Sequence, residues 1–417
     1  MNILQKRQFG GANIVLTIDA NLQRIAEQSL ANNIEKIRAG GFGDPQPAEG
    51  GAVVVTNCKT GEIIAMASNP DYEPALFYNG ISQDKFNEYI NNPFHPLYSK
   101  AYQSNYAPGS TFKMVTAIAG LETGTITPTT RINDNGPYYG ITDDTVQPPS
   151  CWYFNEYHRG HGWLNVTQAI EKSCNYFFYD TGVKVGIDQL DVYARYFGLG
   201  GKTGIELTGE TSGVLAQRSL TESKNFPWTA AQTAYASIGQ GYNSFSPVQM
   251  CKYIAMVANG GHKLDLSIVK SVNLSNGTQV SKTEIDEFIN KKLGLTNEGD
   301  EDIVISDETM RVVLNGMRAV TEGESGTARS VFRDFSISVG GKTGSAETAV
   351  KTKTNAWFVG FAPFDDPEIA VVVMVENGLH GWYTAEVVKD IVYEYFGMNI
   401  PIITEDMSAI SETEIFR

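Results

Sequence analysis

No stretch of this chain approaches the roughly eighteen consecutive apolar residues that a membrane-spanning helix needs. The longest apolar run, Ile369 to Val375, has the length of a strand. Met1 to Arg7 lacks the apolar centre of a signal peptide. There are no internal repeats and no low-complexity tract, and the absence of any H-E-x-x-H disfavours a zinc metalloprotease. Positive charge is also short. Lysine and arginine number 32 against 47 acids, a net charge of −15, which argues against nucleic acid or an anionic membrane surface as the main partner. With 42% hydrophobic and 19% charged residues the chain can build an ordinary core without covalent staples.

What is present is concentrated at Pro108-Gly109-Ser110-Thr111-Phe112-Lys113. From Thr111 to Leu121 the residues read as a largely buried helix, so Ser110 and Lys113 share a face and are expected to touch. A serine hydroxyl is a poor nucleophile at neutral pH. A lysine in a poorly solvated cleft beside other cations can lose its proton and act as its base. Ser110 is therefore the candidate acyl acceptor and Lys113 its activator.

Ser173-Cys174-Asn175 follows 63 residues later and Lys342-Thr343-Gly344-Ser345 a further 169 on. A second Lys-Thr-Gly, beginning at Lys202, sits in a glycine-rich loop after a helical segment and reads as surface. Lys342 instead follows Phe335 to Val339, an alternating pattern expected to form a strand. Two more strand candidates come after it, Ala356 to Phe361 and Ile369 to Val375, separated by a turn at Asp365-Asp366-Pro367.

The order S-x-x-K, S-x-N, K-T-G resembles that of penicillin-binding transpeptidases, and these spacings are long for a compact β-lactamase. Leu16-Thr17-Ile18-Asp19, Thr60 to Met66, Ile238-Gly239-Gln240-Gly241, Ser246-Pro247-Val248-Gln249 and Gly326-Thr327-Ala328 extend the likeness from about residue 13 to 396. The chain looks like a class B penicillin-binding protein of the elongation or sporulation branch. That resemblance implies a peptidoglycan D,D-transpeptidase which is acylated at Ser110 by D-Ala-D-Ala stem peptides and passes the acyl group to an amine. β-Lactams would acylate the same serine. Lys342 would supply charge near the substrate carboxylate and help keep Lys113 neutral, with Thr343 and Ser345 offering hydroxyls. Ser173 would relay a proton to the leaving amine and Asn175 would hold the substrate amide. The backbone N–H groups of Ser110 and Ser345 would form the oxyanion hole. Ser345 stands where many relatives carry threonine, which keeps the hydroxyl. The resemblance further implies an extracytoplasmic catalytic portion anchored by an amino-terminal helix outside this chain, and a glycosyltransferase partner. A D,D-carboxypeptidase, a serine β-lactamase or β-lactam sensor, and a non-catalytic scaffold of the wall-synthesis machinery are the rival readings.

The expected fold is α/β (α+β) of the penicillin-binding-protein and serine β-lactamase type, with a central antiparallel sheet covered by helices. Residues 1–12 read as a remnant of a preceding region and 13–400 as one transpeptidase domain. A mainly helical subdomain is expected at roughly 101–250 and a loose tail at 401–417. Asn21 to Ile37 reads as an amphipathic helix, Ala52 to Asn57 and Glu62 to Ser68 as a hairpin, and Ala385 to Phe396 as the closing helix.

Of the four cysteines, Cys58 sits at a hairpin turn and Cys251 reads as a buried helix residue. Cys151 and Cys174 flank His158 and His161, and two thiolates with one or two imidazoles can build a tetrahedral zinc site. Cys151, His161 and Cys174 are the candidate ligands, the fourth being His158, Asp143, Asp144 or water. Such a zinc would be structural, because the serine and lysine already supply nucleophile and base and no cofactor is required for the chemistry. A Cys151–Cys174 disulfide and two free buried thiols are the competing readings.

Overall fold

The computed structural model describes residues 11–78, 80–141, 147–293, 303–348, 350 and 353–398. Most of the 1–12 remnant, all of the 401–417 tail, and Asp143 and Asp144 lie outside the described residues. Nine strands occur among those described: β1 (Asn13–Leu16), β2 (Gly51–Asn57), β3 (Ile63–Asn69), β4 (Ile132–Asp134), β5 (Gly162–Leu164), β6 (Val269–Asn273), β7 (Gly340–Glu347), β8 (Thr354–Ala362) and β9 (Ile369–Val375).

Five of them form the expected antiparallel sheet in the order β3-β2-β9-β8-β7. Every residue of β9 is buried, as are Val53, Val54 and Val55 of β2. Residues on successive sides of a pleat can all be buried only if helices cover both faces. Helices Ala20–Arg38 and Ala385–Tyr395 pack together and against the sheet, tied by Ser29 Oγ donating to Asp390 at 2.5 Å. Pro247–Ala258 lies against β2, β8 and β9, with the Cys251 thiol donating to the Val54 carbonyl at 3.4 Å. Withdrawing each such valine from water is worth roughly 1.5–3 kcal/mol, so the buried sheet is a rigid platform for β7 at its edge.

Local signals set the boundaries. Asp19 caps the first helix by accepting from Asn21 N and Leu22 N, both at 2.9 Å. In the β2–β3 turn Asn57 Oδ1 accepts from Lys59 N and Thr60 N. The segment from Phe335 to Val339 departs from expectation. It forms no strand: Phe335 N turns back to the Phe332 carbonyl, and the Val339 carbonyl is taken by Thr321 Oγ1. Its alternating apolar residues pack as an irregular connection, and the strand begins at Gly340 and includes the Lys-Thr-Gly itself.

The region 101–250 is mainly helical, with one unexpected addition. β4 and β5 form a two-stranded sheet that pairs Asp134 with Gly162, which sets Asp134 beside His161. No helix among the described residues is long and apolar enough to cross a membrane.

Candidate active site

Ser110 lies in a 3₁₀ turn, Gly109–Phe112, that leads into the helix Lys113–Glu122. In a 3₁₀ turn residues i and i+3 eclipse, so Ser110 and Lys113 are on one side. Gly109 makes the turn possible. Its φ is +56°, and a Cβ there would lie 3.2 Å from the Ala346 side chain and 3.3 Å from the Ser345 carbonyl on β7. Gly239, with φ +72°, lets its loop approach from the other side, where a Cβ would sit 2.2 Å from the Gly109 carbonyl.

Lys113 is fully buried. Its Nζ donates to the Ser173 carbonyl at 2.8 Å, Ser173 Oγ at 3.2 Å and Asn175 Oδ1 at 2.7 Å. The expected contact with Ser110 is not a hydrogen bond here: among the described residues the Ser110 hydroxyl has no partner, since the Nζ donors are engaged by Ser173 and Asn175. Lys342 is also fully buried and donates to Ser173 Oγ at 2.8 Å and to the Thr343 carbonyl at 2.9 Å. Burial pulls Lys113 down to about 8. Burial, with the neighbouring charge of Lys113, pulls Lys342 well below the ordinary lysine range.

Ser173 earns its position through backbone strain. The helix Val166–Glu171 opens with an Asn165–Gln168 capping box and closes with Cys174 N on the Ala169 carbonyl. This leaves Ser173 at φ +52°, a left-handed conformation costing a non-glycine residue about 1–3 kcal/mol. Two donors hold it there by its carbonyl, Lys113 Nζ and the Trp152 indole N–H at 3.0 Å. Trp152 was invisible as a functional residue in the sequence, where it reads only as an aromatic after Cys151.

On β7, strand alternation puts Lys342 and Gly344 on one face and Thr343 and Ser345 on the other. Thr343 Oγ1 hydrogen-bonds Thr327 Oγ1 at 2.7 Å, and Ser345 Oγ accepts from Gly381 N at 3.3 Å. Both hydroxyls lie at the edge of the sheet. Lys202 is outside this arrangement: it is exposed, and Thr203 and Gly204 are bound by the buried Glu210 carboxylate.

Behind the Ser173 turn, Cys151, His161 and Cys174 meet Asp134, their ligand atoms all within 4.8 Å of one another. Asp134 takes the place left open for a fourth ligand. It lies upstream of the Cys151–Cys174 window and comes in only through the β4–β5 pairing. His158 is exposed, in left-handed backbone at the end of the helix Trp152–Tyr157. The four cysteines are free, and Cys151 Sγ to Cys174 Sγ is 3.9 Å, no disulfide. Zinc–sulfur bonds of about 2.3 Å at a tetrahedral angle imply ~3.8 Å between two sulfurs and ~3.6 Å between sulfur and imidazole nitrogen. The structure has 3.9 Å and, from Cys151 to His161 Nδ1, 3.5 Å. Two contacts of Asp134 Oδ2 are shorter than an ion would hold them, His161 Nδ1 at 2.7 Å and Cys174 Sγ at 3.3 Å, because both are hydrogen bonds. Burial pushes the Cys151 thiol up, but hydrogen bonds with Cys174 and His161 outweigh it and hold it below the usual thiol range. Burial and the neighbouring Cys151 push Cys174 up.

A serine hydroxyl without a partner among the described residues, two buried lysines meeting at a second serine, and a hydroxyl-bearing strand edge bring the S-x-x-K, S-x-N and K-T-G motifs into one site. The chain belongs to the penicillin-binding protein transpeptidase domain family, whose model matches residues 51–394. It is 32% identical to the peptidoglycan D,D-transpeptidase MrdA of Acinetobacter baumannii over 402 residues, 93% of this chain and 54% of that protein. To stage V sporulation protein D of Bacillus subtilis it is 30% identical over 378 residues, 88% of this chain and 50% of that one. The chain thus spans about half the length of these curated relatives. The crystal structure of Pseudomonas aeruginosa PBP2 in complex with WCK 5153 superimposes with a TM-score of 0.79 at 32% identity, covering 95% of this chain and 82% of that one. The likeness supports the class B branch and the α/β fold of this family.

Proposed function

We propose that this domain is a peptidoglycan D,D-transpeptidase with Ser110 as nucleophile. The observation that carries the reading is the fully buried Lys113, bonded to Ser173 and Asn175 one turn from a serine whose hydroxyl has no partner among the described residues. A neutral amine has two N–H donors and one lone pair, so Lys113 keeps its place on the Ser173 turn while its lone pair takes the Ser110 proton. Ser110 Oγ attacks the carbonyl of a penultimate D-alanine, and the oxyanion falls to the backbone N–H groups of Ser110 and Ser345. Lys113 returns the proton through Ser173 to the departing amine of the terminal D-alanine. The substrate carboxylate is bound by Thr343 and Ser345 with Lys342 as a further donor, and Asn175 holds the substrate amide. Gly344 keeps the strand close to the nucleophile turn, since a Cβ there would lie 3.0 Å from the Pro108 carbonyl. An amine of a second stem peptide then attacks the ester and regenerates Ser110.

β-Lactams enter the same path, because the strained amide presents its carbonyl to Ser110. No carboxylate among the described residues hydrogen-bonds Ser110, Lys113 or Ser173, so none of them is placed as the water-activating group a β-lactamase needs. The decisive experiment is intact-mass spectrometry with a penicillin. A single adduct is expected on the folded wild type and none on Ser110→Ala; an undiminished adduct on the variant sinks the assignment.

We also propose a structural zinc on Asp134, Cys151, His161 and Cys174, fixing the Ser173 turn from behind and taking no part in the chemistry. The natural setting we infer is the extracytoplasmic face of the membrane, beside a glycan-polymerising partner that supplies the strands to be cross-linked.

A further inference from the structure

At the Thr343 end of the cleft lies a pocket of about 360 Å³, walled by Trp152, Tyr153, Arg159, Lys172, Ser325 and Thr327 among others. It reaches the ~300 Å³ at which small-ligand sites begin, and the acyl-transfer steps above leave it unused. Two hydrogen bonds join it to the catalytic groups: Thr327 to Thr343, and Trp152 to the Ser173 carbonyl.

Its charge runs against that of the protein. The chain carries −15 overall, yet the pocket wall holds Arg159 and Lys172 and no acidic residue. Neither cation is paired with a carboxylate among the described residues. Arg159 lies with its guanidinium carbon 5.7 Å from the Tyr153 ring centroid, and one N–H donates to Tyr153 Oη at 3.1 Å. That contact orients the guanidinium and leaves most of its five donors open. Glu171, the last residue of the helix that leads into Lys172, is already engaged by Ser325 N at 3.0 Å.

Position identifies the occupant. The donor acyl group is bonded to Ser110, whose turn abuts Ser345 and Ala346; the donor strand therefore runs along that end of β7. The leaving D-alanine, its carboxylate held by the hydroxyls of Ser345 and Thr343, projects the other way, toward Thr327. Whatever replaces it must come in from that side, across the pocket. In the second half-reaction the incoming amine nitrogen forms a bond to the ester carbon as the carbon–Oγ bond breaks, and the proton lost by the amine returns to Ser110 through Lys113. We propose that this pocket is the subsite of the acceptor strand, where Arg159 and Lys172 recognise a carboxylate carried by the acceptor peptide. The proposal rests on the transpeptidase reading of the site.

The test forms the acyl-enzyme from a thioester donor and measures its partition between aminolysis and hydrolysis, which is independent of how fast acylation occurs. The acceptors are a synthetic tripeptide with a side-chain amine and a free terminal carboxylate, and the same peptide as its terminal amide. Wild type is expected to favour the carboxylate peptide by about tenfold, the size of one charge-assisted hydrogen bond. Arg159→Gln and Lys172→Gln should each shrink that preference and the double variant should remove it. Equal partition for the two peptides in wild type, or an unchanged preference in the double variant, overturns the subsite alone. An acyl-enzyme that neither peptide intercepts points to a carboxypeptidase and overturns it too. No acyl-enzyme on Ser110 at all overturns the transpeptidase reading itself.

Discussion

Lys342 Nζ donates to the Ser173 hydroxyl at 2.8 Å, joining two motifs 169 residues apart. Because Lys113 donates to the same oxygen at 3.2 Å, one hydroxyl links both buried lysines. Burial in this unsolvated space holds both amines below the ordinary lysine range, and for Lys342 the charge of Lys113 adds to it. Ser173→Ala removes the link. Acylation by penicillin is expected to fall by about 10²–10³-fold, while the circular dichroism spectrum stays that of wild type; a loss of less than threefold would remove Ser173 from the proton path.

The pH dependence follows from the Lys113 value of about 8. Only the neutral amine accepts a proton, so the second-order acylation rate constant should rise about tenfold per pH unit below 8 and level off above it. A rate constant that is flat from pH 6 to 9 contradicts Lys113 as base. Stability shifts in the same direction. The folded pKa lies below the unfolded 10.5, so the unfolded chain binds more protons between about pH 8 and 10.5. The penalty of burying the charge, up to about 3 kcal/mol, is fully present below 8 and is relieved as pH rises through that window. Denaturant midpoints measured across it should rise, until tyrosine and other lysine titrations intervene.

Trp152→Phe keeps an aromatic side chain, smaller than the indole, and deletes the N–H that holds the Ser173 carbonyl at 3.0 Å. Ser173 then keeps its left-handed backbone on the Lys113 bond alone. Acylation should slow by about tenfold and the protein should lose roughly 1 kcal/mol; unchanged kinetics would make Trp152 a packing residue only.

Elemental analysis of protein purified without chelator should find one zinc per chain. Cys174→Ser and Asp134→Asn should lose it, while His158→Ala, outside the cluster, should retain it. Removing the metal should lower the melting temperature by several degrees, since the binding free energy is part of the folding free energy. Zinc-free wild type with an unaltered melting temperature would end the proposal.

Gly109→Ala puts a Cβ 3.2 Å from the Ala346 side chain at φ +56°. Strain of about 1–2 kcal/mol is expected, and because it displaces Ser110 against β7, acylation should drop further than stability does. Thermal melts and acylation kinetics on the same sample separate the two effects.

Much of this was legible locally. The apolar run Ile369 to Val375 read as a strand and the apolar spacing of Asn21 to Ile37 as a helix, because period and burial act over a few residues. Phe335 to Val339 misled for the complementary reason: alternation says which residues seek the core, but strand formation needs a partner, and Thr321 and Phe364 take backbone groups there. Asp134 escaped because nothing in its own neighbourhood distinguishes it. Its role exists only once β4 pairs with β5.

The sequence by itself determined the reactive groups, their order along the chain and the helix and strand periods that carry them, since these depend on residue identity and short-range sterics. The tertiary structure alone decided that Ser173 and Lys342 meet, that Lys113 faces Ser173 and Asn175, and that the Trp152 N–H holds the Ser173 carbonyl. Those contacts span tens to hundreds of residues and form only when the sheet and the helical region bury their faces against each other. The same burial strips water from the lysines, and it is the loss of that water that holds both amines below the ordinary lysine range.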